Sequence, residues 1–244
     1  MIEKRTMKRA LVLTGGGARA AYQVGVLKAI TEFGNISRNP FEIITGISAG
    51  AINGVKASAS IPLFFEPVYM DGNYYCDGCV RLTSPLSPAI HLGADKILAI
   101  GIRHPRSSEK TLSMVKEKTS RQPEPADIAG LLLNALFMDL LDEDLERVTR
   151  INSTVRQTGF KGLRDIPTEV ILPSQDLGNQ AADLLSSFPF AMRHMLKGLG
   201  ASRGTGWDLL SYLAFDKQYT SSLLEIGYKD GLDNRSRIIE FLEE

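Results

Sequence analysis

Gly46-Ile47-Ser48-Ala49-Gly50 constrains this chain more than any other stretch. It follows the short apolar run Phe41-Glu42-Ile43-Ile44 and leads into small residues suited to a helix start. A G-x-S-x-G pentapeptide between a strand and a helix is a sharp, strained turn that lifts the serine hydroxyl clear of a sheet. Its neighbours are small because strand and helix approach closely there. The pattern calls for an α/β fold and makes Ser48 a nucleophile, which needs a base and a pocket for negative charge.

The flanking sequence fits such a fold. Ala10 to Thr14 predicts a buried parallel strand, and Gly15-Gly16-Gly17 predicts a tight loop. Ala20 to Phe33 predicts a helix with Val24, Leu27 and Ile30 on one face and Gly34 as its stop. Phe41 to Ile47 is the second strand, so the chain opens as strand, glycine loop, helix, strand, turn and helix. Pro67 to Asp77 predicts a hairpin about Asp71-Gly72, Pro88 to Leu92 a short helix and Lys96 to Ile102 another apolar strand. Pro105 to Pro125 is polar and reads as an exposed loop. Ala126 to about Arg156 predicts a long amphipathic helix, its stripe carried by Ile128, Leu132, Leu136, Leu140 and Leu141, then by Leu145, Val148, Ile151 and Val155. Glu169 to Leu172 is the last strand. From Asp176 the sequence is helical, with breaks at Pro189, Gly198 to Gly200 and Gly204 to Gly206. Residues 1–175 are expected to form the catalytic core and 176–244 a helical cover of the same domain.

Charge and composition narrow the partners. Lys and Arg total 28 and Asp and Glu total 28, so the basic excess of a nucleic-acid binder is missing, as is a polybasic run for membrane anchoring. The N-terminus is too charged for a signal-peptide core. The apolar stretch Ile128 to Leu141, broken by Asn134 and Asp139, is too short to span a bilayer. Two cysteines make no disulfide framework. A cytoplasmic location is the expectation, with signal-independent export left open.

Three consecutive glycines after a strand can turn several backbone N–H groups towards one point, and the helix start adds partial positive charge. With the N–H of Ala49 they would hold a tetrahedral oxyanion. Arg19 could stabilise this loop or contact a substrate phosphate. A rival reading takes Gly15-x-Gly17-x-x-Ala20 as a dinucleotide fingerprint. That fingerprint expects an acidic residue at the end of the second strand, where this chain has Thr45-Gly46-Ile47-Ser48, with Glu42 inside the strand.

For the base, three histidines are present: His91, His104 and His194. His104 follows a strand and would complete a serine, aspartate, histidine order with Asp77, but none of the three sits in a motif. Asp77 closes a strand ahead of Gly78. A carboxylate is a poor base at its ordinary pKa of about 4, and becomes a useful one when held against the hydroxyl and shielded from water. Cys76-Asp77-Gly78-Cys79 is a C-x-x-C without the helix start of a redox motif and without a second pair for zinc, so it is read as accidental. Leu63-Phe64-Phe65 and Leu131 to Met138 are either an acyl-chain groove or plain core.

Three blocks in order resemble the patatin-like phospholipase family, bacterial type: Thr14-Gly15-Gly16-Gly17-Ala18-Arg19, Gly46-Ile47-Ser48-Ala49-Gly50 and Asp77-Gly78. Ala59 to Phe65 and Pro85 to Asp95 are similar to the segments around the family's aspartate. The resemblance implies a three-layer α/β/α fold with a central, mostly parallel sheet and a helical C-terminal part. It implies a lipid acyl hydrolase in which Ser48 and Asp77 form a catalytic dyad. Gly15, Gly16, Gly17 and Ala49 would form the oxyanion hole and Arg19 would bind substrate. No metal or cofactor is required. The substrate would be a lipid or other acyl ester, met through transient contact with a membrane surface. The alternatives are a serine esterase with a Ser48, His104, Asp77 triad and a non-catalytic lipid- or protein-binding module. One departure is the Cys79 that follows Asp77-Gly78. Another is that Asp77 follows Ser48 by only 29 positions, where the family has a much longer segment. Val55/Lys56 is therefore read as a junction at which a segment is either deleted or numbered through. The expectation is an unseen loop or lid, to be checked by the spacing of consecutive Cα atoms, about 3.8 Å across a trans peptide.

Overall fold

The computed structural model describes residues 7–34, 39–46, 66–70, 72–75, 77, 82, 84–105, 122–181, 184–201 and 206–243. β1 (Arg9–Leu13) runs through a 3-10 turn at Gly17–Ala20 into α1 (Ala21–Phe33) and then β2 (Ile43–Gly46). β3 (Val68–Met70) and β4 (Asn73–Tyr75) form an antiparallel hairpin in which Tyr69 faces Tyr74, as Asp71-Gly72 leads one to expect. α2 (Ser87–His91) precedes β5 (Lys96–Ile100). α3 (Pro125–Asn134), a π-helical turn at Ala135–Asp139 and α4 (Leu140–Thr158) make one long helical stretch, followed by β6 (Thr168–Ile171). The C-terminal part is α5 (Phe190–Gly198), α6 (Trp207–Leu213), α7 (Lys217–Asp233) and α8 (Arg235–Glu243).

β1, β2, β5 and β6 form a sheet of order β2-β1-β5-β6 in which every pair is parallel. Alternate residues of a strand face opposite sides, and the core divides accordingly. Leu11, Leu98 and Ile100 pack with residues of α1, α3, α6, α7 and α8, whereas Ala10, Val12, Ile97 and Ala99 pack with α2 and α4. Both faces are thus covered, the three-layer α/β/α arrangement expected of a parallel sheet.

Small residues decide which helix faces turn inward. On α1 the buried residues are Tyr22, Gln23, Gly25, Val26, Ala29 and Ile30, while Val24, expected on the core face, is 55 % exposed. The cause is α7. A Cβ on Gly25 would collide with the Leu224 carbonyl, and one on Gly227 with the Tyr22 carbonyl, so the two helices cross nearly backbone to backbone. The expected stripe of the long helix is likewise displaced at its start. Ile128 and Leu132 are exposed, and Ala126, Gly130 and Leu133 are buried. A Cβ on Gly130 would stand 2.8 Å from that of Asp208, so it is the small face that receives α6. From Leu141 onward the stripe lies as expected, with Leu141 and Val148 buried. Of the expected groove, Leu131 is exposed while Leu133, Phe137 and Met138 are core, and Leu63-Phe64-Phe65 lies outside the described residues. A further break at Ala214–Asp216, not expected from the sequence, separates α6 from α7, and the Asp216 carboxylate caps α7 by accepting from the N–H groups of Gln218 and Tyr219.

At the amino edge of the sheet, Arg9 and Lys96 donate to the carbonyls of Leu242 and Phe241 at the end of α8. Two cations there satisfy orphan carbonyls and oppose the helix dipole. No helix among the described residues is long and apolar enough to cross a membrane.

Candidate active site

The glycine loop and the serine pentapeptide start from neighbouring strand ends. Leu13 pairs with Gly46, the last residues of β1 and β2, and paired strands lie about 4.8 Å apart. β2 lies on one side of β1 and β5 on the other, so the strand order switches at β1. In an open parallel sheet such a switch point leaves a crevice at the carboxyl ends of the strands, where ligands bind. Thr14, Gly15, Gly16 and Gly17 occupy that position.

The loop is packed from behind. Gly15 and Gly16 are buried. Gly17 has φ of +54° and backs onto the carbonyl of Tyr212, while Gly16 backs onto the Ile102 side chain. The Arg19 N–H donates to the Gly16 carbonyl at 3.1 Å, closing the 3-10 turn. No N–H of Gly15, Gly16 or Gly17 donates to another described residue.

Arg19 is 2 % exposed. Its Nε donates to Ser211 Oγ at 2.7 Å, Nη2 to Asp208 Oδ1 at 2.9 Å, and the guanidinium stacks on the Tyr212 ring at 4.3 Å. These contacts tie the glycine loop to α6. Burial pushes the Tyr212 hydroxyl well above the ordinary tyrosine range, and that of Tyr219 up to about 12, so both rings stay neutral beside the cation.

Sequence reasoning missed Gln23. It is 5 % exposed, and its Nε2 donates to the carbonyls of Thr14 and Ile100, each at 2.9 Å. A polar residue on the core stripe of a helix was the available signal.

Asp77 is 1 % exposed and follows the β3–β4 hairpin. The chain beyond it is held by α4: the Leu86 N–H donates to Asp144 Oδ2 at 2.8 Å and Arg147 Nη1 to Ser84 Oγ at 2.9 Å. Ser48, Ala49, Gly78, both cysteines and the Val55/Lys56 junction lie outside the described residues.

His104 follows β5, at the same edge of the sheet as the glycine loop. Its Nδ1 is 2.9 Å from the Pro173 carbonyl. A carbonyl oxygen only accepts, so Nδ1 carries the proton, and a backbone carbonyl holds the ring where a triad would use a carboxylate. His91 and His194 are exposed, His194 stacked on Phe190. Glu42, the carboxylate considered for a ribose, sits at the amino end of β2 and pairs with Arg9 at 3.0 Å, at the opposite edge of the sheet from the glycine loop.

A family model, patatin-like phospholipase, matches residues 11–56 and 53–90. No curated protein matches the chain. The two matched pieces meet at residues 53–56, where the sequence places the junction. Residues 11–90 are thus similar to the patatin-like phospholipase family, and the chain has the parallel sheet with flanking helices that the resemblance implies.

Proposed function

We propose that this protein hydrolyses carboxylic esters of lipids through a Ser48–Asp77 dyad. Ser48 Oγ attacks the ester carbonyl carbon while Asp77 takes the hydroxyl proton. The N–H groups of Gly15, Gly16, Gly17 and Ala49 hold the tetrahedral oxyanion. Collapse expels the alcohol, which receives the proton from Asp77 and leaves an acyl-serine. Water, deprotonated by Asp77, then cleaves the acyl group and Ser48 regains its proton. Arg19 acts on the loop rather than on a substrate phosphate, since its guanidinium is engaged by Ser211, Asp208 and Tyr212.

The observation that carries this reading is the Leu13–Gly46 pairing. It starts a loop of glycine N–H donors and a G-x-S-x-G turn from adjacent positions at the switch point of a parallel sheet. The two-piece family match, whose pieces meet at residues 53–56, supports a junction at Val55/Lys56.

The test is reaction with a labelled fluorophosphonate, located by peptide mapping, beside turnover of a short-chain nitrophenyl ester. Label on Ser48 and turnover lost in Ser48→Ala and Asp77→Asn but kept in His104→Ala is the expected result. Loss in His104→Ala would replace the dyad with the triad. Absence of both label and turnover would make the protein a binding module.

A further inference from the structure

Gln23 lies where the β1–β5 ladder ends. In that ladder the Thr14 N–H donates to the Ile100 carbonyl at 3.4 Å. A continuing parallel ladder would bring the Ile102 N–H to the Thr14 carbonyl next. That bond is not made between these two described residues. The Gln23 amide takes the place instead, with Nε2 2.9 Å from the Thr14 carbonyl and 2.9 Å from the Ile100 carbonyl. One side-chain NH2 thus finishes both strands and lets them part at the switch point.

The consequence reaches the next peptide group. A trans peptide is planar, so its carbonyl and its N–H point in opposite directions. With the Thr14 carbonyl drawn onto the α1 side by Gln23, the Gly15 N–H points away from α1, and it donates to no other described residue. Gln23 is nine-tenths buried or more and packed within a helix that crosses α7 at backbone contact, so the amide is rigidly held.

We propose that Gln23 is a positioning residue for the oxyanion hole: by fixing the Thr14 carbonyl it aims the Gly15 N–H at the oxyanion. This rests on the reading of the glycine loop as an oxyanion hole. It adds a residue outside the glycine, serine and aspartate blocks, whose effect is on the transition state rather than on substrate binding.

Gln23→Met keeps the side chain's length and removes the donor. Loss of one oxyanion donor costs about 10²- to 10³-fold in kcat, and misaiming one is expected to cost about tenfold or more, with KM within about twofold of the parent. A trifluoromethyl ketone, which forms a tetrahedral adduct with the serine, should weaken by a similar factor, while a non-hydrolysable ether analogue of the substrate should bind equally to both proteins. Unchanged kcat in a folded variant, or equal weakening of ketone and ether, would overturn the proposal. Should Gln23→Met not fold, the parent protein decides the matter. Adding the ketone to ¹⁵N-labelled protein should shift the Gly15 amide proton downfield and slow its exchange, and an unmoved Gly15 resonance beside shifted Gly16 or Gly17 resonances would overturn it. Failure of the parent protein to turn over ester or bind the ketone would count against the hydrolase reading itself, and is distinguishable from either result.

Discussion

Gly17, with φ of +54°, is pressed against the carbonyl oxygen of Tyr212, and a Cβ there would collide with that backbone. The left-handed conformation costs a non-glycine residue about 1–2 kcal/mol, and overpacking against backbone adds about 1–3 kcal/mol. Gly17→Ala should therefore lose roughly 2 kcal/mol or more in urea unfolding and react with fluorophosphonate more slowly, since loop or α6 must move. Unaltered stability and labelling would show that the loop does not depend on α6.

Arg19 and Asp208 form a pair with side-chain exposures of 2 % and 20 %. A lysine cannot reproduce a fork that engages Ser211 and Asp208 while lying flat on Tyr212. Arg19→Lys and Asp208→Asn are each expected to cost about 1–3 kcal/mol, with a double-mutant coupling above about 1 kcal/mol. KM should respond alike for phospholipid and for uncharged esters in Arg19→Lys. A rise confined to the phosphate-bearing substrate would restore the role of Arg19 as a phosphate ligand.

What could be read from the sequence was local. The strand, glycine loop, helix and serine turn are written in neighbouring residues, and β1, α1 and β2 lie within a few residues of expectation. The inward faces of α1 and α3 were not legible, because Val24 and Ile128 look like core by size, whereas contact is decided by Gly25 and Gly130 meeting helices some 80 to 200 residues later. The same distance hid the site's supports. Nothing near Arg19 announces Ser211 or Asp208, and Gln23 acquires meaning only when β5 is seen beside β1.

The α1–α7 crossing allows a test in which propensity and packing oppose each other. Alanine is favoured over glycine by about 1 kcal/mol in a helix interior. Cβ atoms at Gly25 or Gly227 would strike the carbonyls of Leu224 and Tyr22, and neither backbone can rotate away as a side chain would. Packing should win: Gly25→Ala and Gly227→Ala each destabilise by about 2 kcal/mol or more. At the turn glycine Gly93, φ +92° with nothing near its Cβ position, the loss should be confined to the conformational cost of about 1–2 kcal/mol. Thermal or urea unfolding of the three variants makes the comparison, and a stabilised Gly227→Ala would disprove the close crossing.

Glu42 provides the pH dependence. Its carboxylate accepts from Arg9 Nη2 at 3.0 Å and from the Arg9 N–H at 2.7 Å, and the Arg9 side-chain hydrogen bond holds it below the usual carboxylate range. A group whose folded pKa is depressed binds fewer protons when folded than when unfolded. Its contribution is therefore complete above the unfolded value, about 4.3, and disappears as pH falls through the lower folded value. The side chain is 41 % exposed, so solvent screening limits the contribution to under about 1 kcal/mol. Glu42→Gln should accordingly cost a few tenths of a kcal/mol at neutral pH, roughly 0.3–0.8, and should match the parent protein once pH has fallen below the lowered folded value. High salt should shrink the neutral-pH difference, since a half-exposed pair is screened. A difference that persisted at low pH would mean that Glu42 acts through packing rather than through its charge.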